Sequence, residues 1–322
     1  LKKVYNRAIS TVSKGFYTMK QKQSYLFVLL TAFAFGTMEI ALKIAGNDFT
    51  SLQLTFLRFL IGGLILLPFA LKDLKRRAYH LTLSDWGYLL ALGVINICFS
   101  MTLFQVGVMM TNASLAAIII SINPVFTMLF AHFLVHDYFT RQKAVVLLLS
   151  LVGLVVVANP AQLIHGTGVQ GVLTVLAASM GFGFYTALGK KRIHQIGGLA
   201  QNSFSFLLGS GAECLILLAA GEPILNGITV HSMAVLLYVG IVVTGFGYVC
   251  YMKAIELSNP STASIAFFIK PIVAITLSAL ILSESITWNV IAGTLLILAG
   301  CIYNLKHASA PKTVPTRHTP IQ

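Results

Sequence analysis

The sequence predicts an all-α integral membrane protein with ten transmembrane helices, arranged as two inverted five-helix repeats. Three observations carry that expectation. The 322 residues are 57% hydrophobic and only 10% charged, against roughly 25% charged in soluble domains, and the mean hydropathy is +0.85. The apolar residues gather in runs near the ~20 needed to cross a hydrocarbon core about 30 Å thick. The runs then repeat at one offset of 147 residues, the spacing from Phe35 to Phe182.

Ten apolar segments follow a basic tail, residues 1–24. Within the tail, Met19 opens "MKQKQSYLFVLL", so residues 1–18 read as an extension ahead of it. Segment one, 25–45, carries Glu39 and Lys43, four apart and therefore on one helix face. Segment two, 52–71, carries Arg58 at a depth that matches Glu39. Segment three, 86–108, opens on Trp86, a residue suited to the membrane interface. Segment four, 113–135, is opened by Asn112, contains Asn123-Pro124 and His132, and is closed by Asp137. Segment five is 144–159. An extracytoplasmic linker, 160–168, leads to segment six, 169–189, whose "GFGFY" (181–185) suits close helix packing. Segment seven, 201–220, holds Glu213. Segment eight, 233–254, holds "TGFGYVCY" (244–251). Segment nine, 260–282, starts on Asn259-Pro260, an N-cap followed by proline at the first helical position. It holds Lys270-Pro271 near its middle and ends before Glu284. Segment ten, 287–305, opens on Trp288 and leads into a tail, 306–322. Each segment must be helical where it meets lipid, because no water is there to bond its backbone.

All but three of the 22 Lys and Arg residues fall in the two tails and the second, fourth, sixth and eighth loops, with Lys253, at the very end of segment eight, counted in the eighth. The five opposite loops hold none. By the positive-inside rule both termini face the cytoplasm. The net charge of +13 is therefore a topology signal, which argues against nucleic acid as a partner. The three exceptions are Lys43, Arg58 and Lys270, all inside segments.

At the 147-residue offset, Phe35-Gly36 falls on Phe182-Gly183, Lys43 on Lys190 and Asn112 on Asn259. Ala116 falls on Ala263, Pro124 on Pro271, Asp137 on Glu284 and Gly153 on Gly300, all without a gap. Each half has an odd number of segments, so the second enters the membrane inverted. Inverted repeats are the architecture of many secondary transporters, with the substrate near mid-membrane between the halves.

The stretches "FGTMEIALK" (35–43), "LTFLRF" (54–59) and "MKAIELSNPSTASIAFFIKPIVAITLSALILSESIT" (252–287) resemble the EamA family of the drug/metabolite transporter superfamily. Phe35 stands where that family usually has tryptophan, and Glu39 where it has an apolar or small residue. The resemblance implies two family repeats, 25–159 and 169–305. It also implies export of small metabolites without ATP and a bacterial inner membrane.

Candidate substrate-binding or coupling residues are Lys270, Asn123, Glu39, Arg58, Glu213, Tyr185 and Tyr248, with Pro124 and Pro271 as helix kinks. A charge at mid-membrane costs about 2.5–3.5 kcal/mol if it faces lipid. Lys270 is therefore expected to line a polar cavity and attract an anionic or zwitterionic substrate, or to sit in a structural ion pair. Glu39 is expected to pair with Arg58 or Lys43, as an outer gate, a protonatable site or a helix clamp. Glu213 is expected to pair with Lys270 or bind a proton. Tyr185, Tyr248 and Tyr251 are candidates for hydrogen bonds to substrate or for packing.

The four cysteines, Cys98, Cys214, Cys250 and Cys301, are far apart and lack any CxxC or Cys/His metal spacing. Walker, HExxH and nucleophile-elbow motifs are missing, and "GFGF" lacks the strand–turn–helix setting of a nucleotide loop. No enzyme activity, cofactor or metal is expected. The expected partners are a small-molecule substrate such as an amino acid or organic anion, the lipid bilayer, a coupling proton and a second copy of the chain. A channel or a non-transporting accessory subunit is the rival reading.

Overall fold

The computed structural model describes residues 22–135, 141–158, 168–226, 228–258 and 260–307. The tails, Asp137, Asn259 and the linker from 160 to 167 lie outside the described residues. The helices are α1 (Lys22–Ala45), α2 (Ser51–Arg77), α3 (Leu83–Met110), α4 (Ala113–Val135), α5 (Arg141–Ala158), α6 (Gly168–Gly189), α7 (Gly198–Ala219), α8 (Val230–Leu257), α9 (Ala266–Ile281) and α10 (Trp288–His307). Among the described residues, seven of these, α1 to α4 and α6 to α8, are long and apolar enough to cross a membrane. Shorter apolar stretches, Ile269–Ile281 and Trp288–Gly300, lie in α9 and α10.

Polar contacts sort the loops into two ends. At one end Arg77 joins Asp73 and Glu256, each at 2.7 Å, and Arg192 joins Asp85 at 2.6 Å. These contacts collect the α2–α3 loop, the α6–α7 loop and the end of α8. At the other end Thr50 bonds Glu222, Gln53 donates to the carbonyls of Ile224 and Asn226, and Glu284 accepts from the N–H groups of Ala113 and Ser114. The first end is the basic one, expected to face the cytoplasm.

The 147-residue offset is written into the contacts. Lys43 donates to the carbonyls of Val108 and Thr111 at 3.0 and 2.6 Å. Lys190 donates to their counterparts, Ile255 and Ser258, at 2.8 and 3.1 Å. Each lysine satisfies carbonyls at a helix C-terminus, which have no partner within the helix. The two lysines do this at opposite ends of the bundle, so α1 and α6 run antiparallel and the repeat is inverted. Capping boxes also coincide: Thr82 with Asp85 starts α3, and Thr229 with Ser232 starts α8. So do two π-helical stretches, Val94–Met101 in α3 and Tyr238–Gly247 in α8. Nothing in the hydropathy pattern signals them, although such stretches gather at functional sites.

Contacts between the halves are reciprocal, as a two-fold axis requires. A Cβ on Gly93 would lie 2.2 Å from the Ser205 carbonyl oxygen, where α3 crosses α7 at Gly209. The counterpart crossing joins Gly240 of α8 to Gly62 of α2. Likewise a Cβ on Gly36 would meet Val273, and one on Gly183 would meet Phe126, each at 2.6 Å. Missing side chains let these helices approach closely where no hydrophobic force separates protein from lipid.

Among the described residues three helices are interrupted, α1 only briefly, at Thr37. The α4 helix breaks at Ser121–Ile122, directly before Asn123-Pro124, where proline fits the first turn of the resumed helix. The turn Pro260–Ala263 leads through Ser264–Ile265 into α9, and Pro271 lies inside α9 itself. The interruption near Lys270 thus precedes its proline by more than a turn, unlike the one in α4.

Candidate functional site

Four charged side chains are sealed in the centre of the bundle. Glu39 (α1), Arg58 (α2), Glu213 (α7) and Lys270 (α9) are each 0% exposed. Charges so placed persist only when paired or hydrogen-bonded. Lys270 and Glu39 form an ion pair between α1 and α9. Gly36 makes this reach possible: a Cβ there would sit 3.3 Å from the Lys270 carbonyl oxygen. The backbone of α1 thus lies against α9, and Glu39 projects to Lys270 one turn further on. The rings of Phe104 and Phe267 lie 5.4 and 5.7 Å from the ammonium.

This pairing differs from both expectations for Glu39. Lys43 turns away to the carbonyls at the end of α3. Arg58 makes no hydrogen bond to Glu39: its Nη1 points at Met38 Sδ, 3.7 Å away, and its guanidinium lies 4.8 Å from the Phe59 ring centroid. The expected match of Glu39 and Arg58 rested on depth alone, whereas helix adjacency decides which side chains meet. Arg58 remains within electrostatic range of Glu39, Glu213 and Tyr248. Among the described residues, no acceptor meets Arg58 Nε or Nη2.

Glu213 does not reach Lys270. Its Oε1 accepts from the Thr102 hydroxyl, and its Oε2 has no partner among the described residues. Thr102 closes the π-helical stretch of α3, its hydroxyl also lying 3.0 Å from the Ile97 carbonyl five residues back. The same stretch presents Cys98 beside Glu213 and Asn96 beside Tyr248. Sequence reasoning passed over Asn96 and Thr102. The available signal was an amide and two hydroxyls within an otherwise apolar run, "GVINICFSMT".

Toward the basic end the centre is closed by aromatic rings. Phe35 lies 5.1 Å from Tyr248 and 5.8 Å from Phe267, and Phe182 lies 5.4 Å from Phe267. Edge-to-face pairs of this kind add about 0.5–1.5 kcal/mol each beyond their burial. Tyr185 bonds Asn202 at 3.3 Å, and Tyr251 meets Thr186 and Ser264 at 3.2 Å. Asn123 accepts from Thr127 on its own helix at 2.6 Å. Tyr185 and Asn123 therefore belong to this neutral layer, while Tyr248 lies between it and Arg58. An apolar crevice of about 400 Å³, lined by Thr37, Ile40, Tyr238 and Leu277 among others, runs along the opposite face of α1 from Glu39.

At the other end Glu284 caps α4. It accepts from the N–H groups of Ala113 and Ser114 at 2.8 and 3.1 Å and from the Ser278 hydroxyl at 3.0 Å, as well as from Ser114 Oγ. Burial raises its pKa, but hydrogen bonds from Ser114, Ala113 and Ser278 outweigh it and hold the carboxyl below its ordinary range. A carboxylate at a helix N-terminus is favourably placed.

Comparisons with known proteins agree with this architecture. The EamA-like transporter family matches twice, over residues 22–159 and 169–305, two copies beginning 147 residues apart. An uncharacterized transporter of Clostridium kluyveri is 39% identical over 289 residues, covering 88% of this chain and 93% of its own. Protein PagO of Salmonella typhimurium is 24% identical, covering 92% and 97%. A protein of known crystal structure shares the fold with a TM-score of 0.67 at 16% identity, covering 87% of this chain and 94% of its own. With the family matched over both halves and a relative this similar along nearly its whole length, the chain belongs to the EamA-like transporter family.

Proposed function

We propose that this membrane transporter is a secondary carrier that moves a small metabolite, an amino acid or organic anion, by alternating access between its two inverted halves. The observation that supports it most is the sealed charged centre at the interface of those halves. Burying four ionisable groups mid-membrane is costly and marks function by default. A two-fold frame also gives each half an equivalent packing to exchange with the other. Export is the direction the family resemblance favours. The chain crosses a bacterial inner membrane ten times, with both termini cytoplasmic, as the clustering of Arg77, Arg192 and Lys190 at one end supports. A proton bound at Glu213 or Glu39 is the candidate coupling ion.

Purified protein in liposomes, tested with labelled amino acids, organic acids, sugars and cationic dyes, should show saturable uptake of one class. Unlabelled substrate inside should accelerate that uptake. Flux that rises linearly without counterflow would mean a channel, and no flux would mean an accessory subunit.

A further inference from the structure

We infer that the group on which the substrate docks is Arg58, and that the substrate presents a carboxylate to it. This rests on the transporter reading above. Of the two buried cations, Lys270 is already neutralised by Glu39 and flanked by two rings. Arg58 is the one with no ion-pair partner among the described residues. Its Nη1 faces a thioether and its plane faces Phe59, which leaves the Nε–Nη2 edge without an acceptor although the residue is 0% exposed. That edge offers two parallel N–H groups, the geometry that two carboxylate oxygens fill together.

The surroundings fit the same ligand. Asn96 stands beside Tyr248, which lies within electrostatic range of Arg58, so a buried amide and a phenol border the same charge. Glu213, beside the Cys98 thiol, lies within electrostatic range of Arg58, where its carboxylate can accept from an ammonium or hydroxyl on the ligand. Glu39 and Glu213 already balance Lys270 and Arg58 in formal charge, so a dianionic phosphate would leave two uncompensated charges in the centre, a carboxylate one and a zwitterion none. The fold itself does not require a guanidinium here. At the two-fold counterpart of Arg58 stands Ser205, satisfied by the Asn202 carbonyl at 3.2 Å.

The test is thermal unfolding of the full chain in detergent with a panel of α-amino acids and short monocarboxylic acids, each set against its methyl ester. At least one acid should raise Tm while its ester does not. Arg58→Lys, which keeps the charge and loses the fork, should weaken that acid's binding roughly tenfold or more. Ser205→Ala should respond as the wild type does. Stabilisation by amino acids alone would identify a zwitterion that also uses Glu213, and stabilisation by plain acids alone an organic acid. An ester as effective as its acid, an unaltered response in Arg58→Lys, or a panel in which no carboxylate raises Tm would each overturn the inference. If Arg58→Lys does not fold, the acid–ester contrast on the wild type still decides. Docking of an acid that is then not carried in liposomes would sink the transport reading and leave the docking intact. Saturable transport confined to non-carboxylates would do the reverse.

Discussion

Glu39, Arg58 and Lys270 have as two-fold counterparts Thr186, Ser205 and Asn123. The backbone treats the two sets alike, and their chemistry differs. The neutral set bonds close to home: Thr186 donates to the Phe182 carbonyl at 2.8 Å, Ser205 to the Asn202 carbonyl, and Asn123 accepts from Thr127 through its Oδ1. Local side-chain bonds of this kind serve hydroxyls well on a helix. The charged set must find partners on other helices, and only Glu39 and Lys270 do so. Duplication therefore supplied a symmetric scaffold, and substitution placed charges at one set of equivalent positions and short neutral side chains at the other.

The sharpest way to break this comparison is to neutralise one charge. Lys270→Met or Glu39→Gln alone should cost about 3–5 kcal/mol, because each strands a buried partner. The double variant should recover most of that loss. Asn123→Ala, at the equivalent site, should cost only about 1 kcal/mol. Unfolding in mixed micelles measures all four, and equal losses for Lys270→Met and Asn123→Ala would erase the distinction.

Helix crossings offer a second contrast. Gly93→Ala drives a Cβ to 2.2 Å from a backbone oxygen, whereas Gly240→Ala meets the Ile61 side chain at 2.8 Å. A backbone yields less readily than a side chain, so Gly93→Ala should cost about 1–3 kcal/mol and Gly240→Ala clearly less. The same unfolding assay ranks them.

The smallest effect concerns Glu284. Its folded pKa is depressed, so its stabilisation is present above the unfolded value and lost as pH falls through the folded one. Partial exposure screens the charge, so Glu284→Gln should lose about 0.5 kcal/mol at pH 7. The difference from wild type should vanish below the ordinary carboxylate range, near pH ~4. A gap that persists in acid would mean the charge is not what holds Ala113 and Ser114.

Much of this was readable from the chain. Hydropathy placed the helices because lipid forces every backbone bond inward, and the 147-residue spacing exposed the duplication that Lys43 and Lys190 act out. What escaped depends on adjacency between distant helices. Glu39 and Lys270 come from opposite halves, and their meeting depends on Gly36 lying against α9, which no periodicity announces. The π-helical stretches that aim Asn96 and Thr102 inward look, in sequence, like any apolar run. The break before α9 falls at Ser264–Ile265 rather than at Pro271, since proline within a helix bends it without ending it.

Alternating access is the central claim, and cysteine labelling from the two faces tests it most directly. Met38, which meets Arg58, and its counterpart Tyr185 are both buried, at 3% and 0% exposure, in opposite halves of the bundle. In a background with the four native cysteines replaced, Met38→Cys should label from outside and Tyr185→Cys from inside. Conditions that raise one rate should lower the other, with transported substrate shifting the balance. Simultaneous labelling of both sites, or rates that ignore each other, would contradict the account.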